Sequence, residues 1–393
     1  MENKPAPLPP PPKFHHTHHH FYMVVFIVWA LAAALFISAV WGVAIADMET
    51  MTPEVVVPET APIGRDKPLA QTVKGIYLTA SSANSAEKLD SIIKLIDETE
   101  LNAVVIDIKD YTGYVLYDSQ VPLVKKLKTS KTVIDDVPAV IKKLHEHNIY
   151  TIARQTVFQD PVLAEAKPEW AITNKKGGVW HDDKGLSWVD ATREEVWKYN
   201  VAIAAEAIAL GFDEINFDYV RFPSDGNMSL VKYNTSEARY KTMGKFYTYL
   251  GEELKDEPAW ISVDFFGLTM DAKGTNDLGI GQRLVDAVDN VDYICPMMYP
   301  SHYGAGYAGL ENPAANPAKV FKTGLKKGMP AFKDKRAKVR PWIQAFNIGA
   351  VYDENKFDNK IRAQIDEIEK VSDSGWLMWN AANRYSDAGL KPK

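Results

Sequence analysis

Cysteine is nearly absent from this sequence: Cys295 is the only one among 393 residues. A single cysteine cannot form an intrachain disulfide, and it excludes a zinc cluster built from several cysteines. Runs of Lys or Arg are also missing, and the formal net charge is −6. Both features argue against a nucleic-acid partner, because such surfaces concentrate positive charge. Hydrophobic residues make up 46% of the chain, which is enough for the core of a sizeable domain.

Charge is absent throughout residues 21–46, "FYMVVFIVWALAAALFISAVWGVAIA". A membrane-spanning helix needs about 20 apolar residues, whereas the apolar part of a secretory signal has only about 7–15. We therefore expect a single-pass signal anchor. The alternative is cleavage after Ala46, which would release the chain. Lysines precede the span and acidic residues follow it, so the N-terminus should be cytoplasmic and the rest extracytoplasmic.

The segments on either side of the span are rich in proline. Residues 1–20 combine proline with a histidine tract and are predicted to form a disordered cytoplasmic tail. Residues 47–72 have little hydrophobic periodicity and are predicted to be a linker. The folded part should therefore begin near residue 73.

A glycine-rich phosphate loop is also missing, because "SSANSAEK" follows the first strand-like run, "GIYLTA". This argues against a doubly wound dinucleotide-binding sheet. From residue 73 onward, eight apolar runs alternate with amphipathic helical runs, which predicts an α/β protein with a (β/α)8 TIM barrel over 73–385 and a C-terminal tail over 386–393. The predicted strands are 73–80, 102–110, 149–157, 213–220, 259–267, 291–299, 339–346 and 375–381.

Strand alternation predicts which side chains point into the barrel. In the fourth strand, Ile215 and Phe217 should face the helices, so Asn216 and Asp218 should face inward. The inward polar residues predicted in the fifth and second strands are Ser262, Asp264, Asp107 and Lys109. Asp110 follows at the rim. Three strands therefore each bring an aspartate toward the C-terminal mouth.

Converging carboxylates repel one another, so one of them keeps its proton to a higher pH. Glycoside hydrolysis needs such a pair, one carboxyl as acid and the other as nucleophile or base. We assign Asp264 as acid/base and Asp218 as nucleophile or base. The alternative is that the aspartates form structural ion pairs with Arg154, Lys109 and Arg221.

The chain is rich in aromatic residues that could stack on sugar rings, with 10 Trp and 18 Tyr. In the eighth strand, Met378 and Asn380 are predicted to face inward, and Trp379 does so only if a bulge re-aims it. The residues predicted to bind substrate are Asp107, Asp110, Arg154, Asn216, Tyr219, Arg221, Tyr299, His302, Gln344, Trp379 and Asn380. No cofactor and no metal are expected. Residues 181–183, "HDD", could ligate a metal, but no second histidine lies nearby at ligand spacing.

Several motifs in order resemble a bacterial glycoside hydrolase domain family, domain of unknown function 4015. They are "GIYLTA", "AVVIDIKDYTGYVLYDS", "YTIARQTVFQDPVLAEAKPEWAI", "DEINFDYVRFPSDG" and "YICPMMYPSHY". The resemblance covers roughly residues 73–385. It implies a TIM barrel of the glycosidase superfamily, often in membrane-anchored or secreted proteins.

A more distant likeness is to chitinase-type family 18 enzymes, whose fourth strand reads Asp-x-x-Asp-x-Asp-x-Glu. Asp213, Asn216 and Asp218 match the three Asp positions, and Val220 stands where that family has its catalytic Glu. "MMYP" and "GWLMWN" are similar to motifs of the sixth and eighth strands of that group. The departure at Val220 implies that the acid must come from elsewhere.

The sequence therefore predicts a glycosidase that acts on a cell-envelope or extracellular polysaccharide. One alternative is a non-catalytic polysaccharide-binding barrel, which the valine at position 220 favours. Another is a metal-dependent polysaccharide deacetylase or hydrolase that uses His181 and its acidic neighbours.

Overall fold

The computed structural model describes residues 66–346 and 354–393, and in these ranges eight parallel strands alternate with helices. The strands are β1 (Val73–Leu78), β2 (Ala103–Lys109), β3 (Tyr150–Thr156), β4 (Glu214–Asp218), β5 (Trp260–Phe266), β6 (Tyr293–Met297), β7 (Trp342–Gln344) and β8 (Gly375–Trp379). Each lies within the range predicted from its apolar run, so the eight predicted strands are confirmed.

Several helices begin at a residue whose side chain caps the first turn. The Ser85 hydroxyl accepts from the Lys88 N–H, and the Asp136 carboxylate accepts from the Ala139 N–H. Such oxygens satisfy amides that have no partner within the helix. The helices are α1 (Ala80–Asn84), α2 (Ala86–Glu98), α3 (Pro122–Leu127), α4 (Val137–Glu146), α5 (Pro161–Ala166), α6 (Glu194–Ala209), α7 (Arg239–Glu253), α8 (Leu284–Ala287), α9 (Pro317–Gly328) and α10 (Glu354–Glu369).

The strands close into a barrel. Strands β1 to β6 pair in order, β8 lies between β7 and β1, and β7 meets β6 at Trp342 and Met297. A short strand, Lys338–Val339, pairs with β6 just before the chain enters β7. This closed order is that of a (β/α)8 barrel, so the predicted TIM-barrel fold is confirmed and the open doubly wound sheet is excluded.

Two apolar layers hold the barrel together. Ile215, Phe217 and Val263 belong to the large core outside the strands, whereas Tyr77 and Leu377 belong to a smaller cluster that fills the interior. The alternation predicted for β4 and β5 is thus confirmed. Parallel strands buried on both faces are expected when helices cover the outside of the sheet.

The longest connections follow β3, β4 and β6, at the C-terminal ends of the strands. A two-stranded antiparallel sheet, Thr173–Asn174 with Val231–Lys232, joins the first two of these connections. Trp180 and Trp188 are fully buried in the connection after β3. The insertions lie on the side predicted for them, the face where such barrels build their active sites.

The last residues of the chain return to the outside of the barrel. Pro392 forms a bridge with Thr99, and the Lys393 N–H donates to the Glu98 carbonyl just beyond α2 at 3.2 Å. The predicted cytoplasmic tail (1–20), the predicted anchor (21–46) and most of the linker (47–72) lie outside the described residues. Across the part that the structure describes, no helix has both the length and the apolar character needed to cross a bilayer.

Candidate functional site

The C-terminal ends of the strands surround a cavity of about 390 Å³. This lies within the range of about 300–1,000 Å³ that is usual for ligand sites. Its lining residues are Arg154, Asp218, Tyr219, Arg221, Asp264, Phe266, Gly267, Leu268, Gln282, Met297, Tyr299, His302, Tyr303, Trp342 and Trp379. The sequence-predicted residues that it brings together are Asp218, Asp264, Arg154, Tyr219, Arg221, Tyr299, His302 and Trp379.

Asp218 is the last residue of β4, at the mouth of the barrel. Its Oδ2 accepts from Arg154 Nη2, and its Oδ1 accepts from the Tyr219 N–H at 2.5 Å. Tyr219 has a φ of 53°, in the left-handed region that a residue with a side chain rarely adopts. This turn ends the alternation of β4, so Tyr219 lines the same cavity as its neighbour. Such strain is often found at functional sites.

Asp264 lies deeper, two residues before the end of β5, and is only 1% exposed. Its Oδ1 accepts from Trp342 Nε1 at 2.7 Å and from Asn216 Nδ2 at 2.9 Å. Burial raises the pKa of Asp264 well above its usual range, and the charge of Asp218 raises it further, which outweighs the opposite effect of Arg154. Asp264 therefore keeps its proton at a pH where an exposed aspartate has lost it.

Arg154 of β3 connects the three aspartates. Its Nη1 donates to Asp107 Oδ1 at 2.6 Å, its Nη2 donates to Asp218, and its Nε lies 3.9 Å from Asp264 Oδ2. Asp107 also accepts from the Tyr77 hydroxyl, and burial raises the pKa of Asp107. Asp107 is not a lining residue, so it holds Arg154 from within the barrel.

The other two predicted cations do not pair with these aspartates. Lys109 Nζ is fully buried 2.8 Å from Asp160 Oδ2, in the connection after β3. The pairing of β2 with β3 shifts between Asp107 and Lys109, so the end of β2 departs from the simple alternation. Arg221 lines the cavity and forms no ion pair within the described residues. Of the three cations that could form structural ion pairs with these aspartates, only Arg154 does so within the described residues.

Aromatic rings form much of the cavity wall. The ring centroids of Trp379 and Tyr77 lie 4.0 Å apart in a stack, and the Arg154 guanidinium lies 5.0 Å from the Trp379 ring. Tyr299 and His302 meet edge to face at 5.2 Å. Burial raises the pKa of Tyr299 and lowers that of His302, so both are uncharged near neutral pH. A sugar ring could stack its C–H face on such a wall beside the two carboxyl groups.

The orientation predicted for β8 is wrong. Met378 packs in the outer core, whereas Leu377 and Trp379 belong to the inner cluster. Asn380 Nδ2 donates to the Ala345 carbonyl at 2.7 Å and so ties the end of β8 to that of β7. Because this strand is apolar on both faces, its sequence contains no alternation from which the orientation could be read.

Three more of the predicted binding residues lie outside the cavity lining. Asn216 lies beneath Asp264 and donates to it. Asp110 Oδ1 accepts the N–H and the hydroxyl of Thr112 in its own turn. Gln344 Oε1 accepts from a backbone N–H of the connection after β6. These side chains build the site through bonds within the protein.

The predicted set lacks seven of the lining residues, and Gln282 and Phe266 are two of these. Gln282 Nε2 donates to the carbonyls of Val220 and Asp264, and its Oε1 accepts from the Phe266 N–H at 2.9 Å. Gln282 lies between β5 and α8 in no recognisable motif, so no sequence signal identifies it. Phe266 follows Asp264 by two positions, and the alternation of β5 could have found it.

The "HDD" stretch at 181–183 has a structural use. Asp182 Oδ1 accepts two backbone N–H groups of its own turn, and its Oδ2 accepts from Trp188 Nε1 at 3.1 Å. Among the residues that the structure describes, no group of three or more His, Cys, Asp or Glu side chains is placed to hold a metal ion. The metal-dependent alternative therefore gains no support from this stretch.

The sequence matches one known family. The DUF4015 family model, described as "Putative glycosyl hydrolase domain", matches residues 75–385. No curated protein matches the chain.

The solved structures that resemble this chain include glycoside hydrolases. The PgaB (BpsB) glycoside hydrolase domain from Bordetella bronchiseptica is 11% identical, with 82% of this chain and 97% of that one covered and a TM-score of 0.57. The α-galactosidase TtGalA from Thermus thermophilus, in complex with stachyose, is 10% identical, with 82% and 65% covered and a TM-score of 0.50. At these identities the likeness shows the barrel fold alone.

One structure is closer in sequence. A hypothetical protein from Ruminiclostridium thermocellum ATCC 27405 is 38% identical, with 48% of this chain and 96% of that one covered and a TM-score of 0.46.

Proposed function

Because this chain belongs to the DUF4015 family of glycosyl hydrolase domains, we propose that it cleaves glycosidic bonds with Asp264 as the acid/base and Asp218 as the nucleophile or base. The observation that carries this assignment is the difference between the two carboxyl environments. Asp264 is deeply buried and its pKa is raised, while Asp218 is bound by the Arg154 guanidinium. Two carboxyls with opposite protonation are what glycoside hydrolysis requires.

Each carboxyl has a separate part in the reaction. Asp264 gives its proton to the departing glycosidic oxygen, so the leaving group departs as a neutral alcohol. Asp218, bound by the Arg154 guanidinium, attacks the anomeric carbon or takes a proton from the attacking water. Val220, at the position of the family 18 acid, is fully buried in the outer core. Asp264 on the next strand supplies the proton instead.

The test replaces each carboxyl by its amide. Asp218→Asn and Asp264→Asn should each lower the release of reducing ends from a cleaved polysaccharide by about 10²–10⁴-fold. Asp286→Asn, at a partly buried ion pair with Arg283 outside the cavity lining, is the matched control and should stay near wild type. Full hydrolysis by either amide variant would remove that residue from the mechanism.

A second substrate separates the two roles. An aryl glycoside of the same sugar has a leaving group that departs without a proton. Asp264→Asn should therefore lose much less activity on the aryl glycoside than on the polysaccharide, whereas Asp218→Asn should lose activity on both. Equal losses for Asp264→Asn on the two substrates would contradict its role as the acid.

The proposed substrate is a cell-envelope or extracellular polysaccharide. This part rests on residues 21–46, whose uncharged apolar run fits a signal anchor that leaves the barrel outside the cytoplasm.

A further inference from the structure

Arg221 lies three residues after Asp218 and lines the same cavity. Its guanidinium carbon is 4.8 Å from the ring centroid of Trp188, 5.4 Å from that of Tyr219 and 4.9 Å from that of Phe266. The three rings come from the connection after β3, the end of β4 and the end of β5. They hold the cation in one place at the mouth of the barrel.

The hydrogen-bonding capacity of Arg221 is mostly unused. Nη1 donates to the Phe222 carbonyl at 3.0 Å and more weakly to the Ser224 hydroxyl at 3.4 Å. Among the described residues, Nε and Nη2 donate to no protein acceptor, and no carboxylate lies within ion-pair distance. Arg154, Arg283 and Arg340 differ in this respect, because each has a carboxylate partner.

A partly buried cation without a counter-ion is unfavourable, because burial removes water that would stabilise the charge. Burial accordingly lowers the pKa of Arg221. The aromatic rings attract the cation electrostatically but do not accept its N–H groups as a carboxylate would. Its Nε and Nη2 have no protein acceptor within the described residues, and the side chain lines the cavity, so both donors are available to a ligand.

The other charged groups beside the cavity have direct contacts of their own. Asp218 and Asp107 both bind Arg154, and Asp264 is neutral while it holds its proton. Asp218, Asp225 and Asp182 act on Arg221 only from beyond ion-pair distance, and their effect on its pKa is smaller than that of burial.

We infer that Arg221 is a specificity-determining residue that binds the carboxylate of an acidic sugar, so the substrate is a uronic-acid-containing polysaccharide. The two parallel N–H groups of Nε and Nη2 match the two oxygens of a carboxylate, a geometry that lysine cannot reproduce. The inference rests on the proposed function in one respect: the polymer that Arg221 binds is the polymer that is cleaved in this cavity.

The experiment compares matched ligands on the Asp264→Asn protein, in which cleavage is slow enough for calorimetry. The probes are oligosaccharides of polygalacturonate and of heparosan, each beside a form whose carboxyl groups have been reduced to alcohols. The acidic form of at least one should bind about 10–100-fold more tightly, as expected for a charge-assisted hydrogen-bonded pair. Sulfated and phosphorylated oligosaccharides test whether another anion serves better.

Variants then locate the effect. Adding Arg221→Gln should abolish the preference for the acidic form. Arg221→Lys keeps the positive charge but lacks the two parallel N–H donors, so it should retain only part of this preference. Arg283→Gln removes an arginine that also stacks on a ring, 3.7 Å from the Tyr240 centroid, but lies outside the cavity lining, and should leave the preference intact. Thermal melts confirm that each variant is folded, and Arg221→Met, which retains a long apolar side chain, replaces Arg221→Gln if that variant does not fold.

The outcomes separate this inference from the proposed function. The uronic-acid assignment would be overturned if the acidic and reduced forms bound equally or if no acidic oligosaccharide bound. It would also be overturned if the sulfated or phosphorylated forms bound more strongly, or if the preference for the acidic form survived Arg221→Gln. Acid-dependent binding through Arg221 without cleavage by the wild-type protein would refute the proposed hydrolysis and leave the carboxylate site standing. If the protein cleaved only neutral polysaccharides, the proposed hydrolysis would stand and the uronic-acid assignment would be refuted.

Discussion

At the scale of the residue, two aspartates differ because their neighbours differ. Asp218 ends its strand, where its two carboxylate oxygens accept from Arg154 and from the Tyr219 N–H. Asp264 lies within its strand, where burial favours the neutral form. The same side chain can thus serve as base in one position and as acid in the other. Arg154 and Trp342, from other strands, oppose the effect of burial on the pKa of Asp264.

Trp342→Phe should move the alkaline limb of the activity profile to higher pH. Trp342 Nε1 donates to Asp264, which stabilises the charged carboxylate and lowers its pKa. Without this bond the pKa of Asp264 rises, so the acid stays protonated to a higher pH. One hydrogen bond to a charged group corresponds to a shift of about one pH unit. The measurement is kcat/KM against pH on a cleaved polysaccharide.

The control for this prediction is Trp379→Phe. Trp379 lines the same cavity, but its indole does not donate to Asp264. This variant should leave the alkaline limb in place, whatever it does to KM. A limb that moves downward in Trp342→Phe, or moves equally in both variants, would show that Asp264 is not the group that limits the rate at high pH.

At the scale of the element, the two ends of the strands have different uses. The C-terminal ends carry the cavity, whereas the N-terminal ends enclose a buried ion pair between Arg340 and Glu214, the first residue of β4. Arg340 Nη1 donates to both Glu214 oxygens at 2.8 and 2.7 Å, and the guanidinium carbon lies 3.6 Å from the Tyr293 ring centroid. Both side chains are fully buried. We therefore expect the residues at this end of the barrel to stabilise the fold.

Arg340→Met should destabilise the barrel by about 3–5 kcal/mol, because it leaves the Glu214 carboxylate buried without a counter-ion. The double variant Arg340→Met with Glu214→Gln removes both charges and should cost much less. Chemical denaturation of the two variants gives the comparison. If the single variant were no less stable than the double, the pair would not be a coupled unit.

At the scale of the whole molecule, the barrel is closed by its last strand and by the C-terminal residues. Strand β8 pairs with both β1 and β7, and the segment around Pro392 lies against the end of α2. Closure removes the open sheet edges that would otherwise invite pairing with another chain. The described part of the chain is thus self-contained, and the proposed anchor precedes it.

The full-length chain should be found in the membrane fraction at its uncleaved mass, because residues 21–46 are long enough to span a bilayer. A chain that begins at residue 47 should be found in the soluble fraction. Fractionation and mass spectrometry of bacterial cells that express each form would measure this. Protease added outside the inner membrane should digest the barrel. If expression of the full-length chain gave a soluble product that begins after Ala46, the signal would be cleaved instead.

The sequence by itself determined the strands and the inward aspartates of β4 and β5. Apolar and polar residues alternate there, and an aspartate cannot be buried among helices without a partner. It also determined the pair Asp218 and Asp264, since both lie near the C-terminal ends of adjacent strands.

Only the tertiary structure decided what surrounds those carboxyls. Arg154 reaches Asp218 from another strand, Gln282 comes from a connection without a motif, and Trp379 faces inward on a strand whose two faces are equally apolar. Arg221 shows the same division. Its positive charge follows from the residue type. The absence of a carboxylate within ion-pair distance, among the described residues, depends on where the other side chains lie. Local periodicity sets the direction of a side chain, whereas its neighbours are set by closure of the barrel.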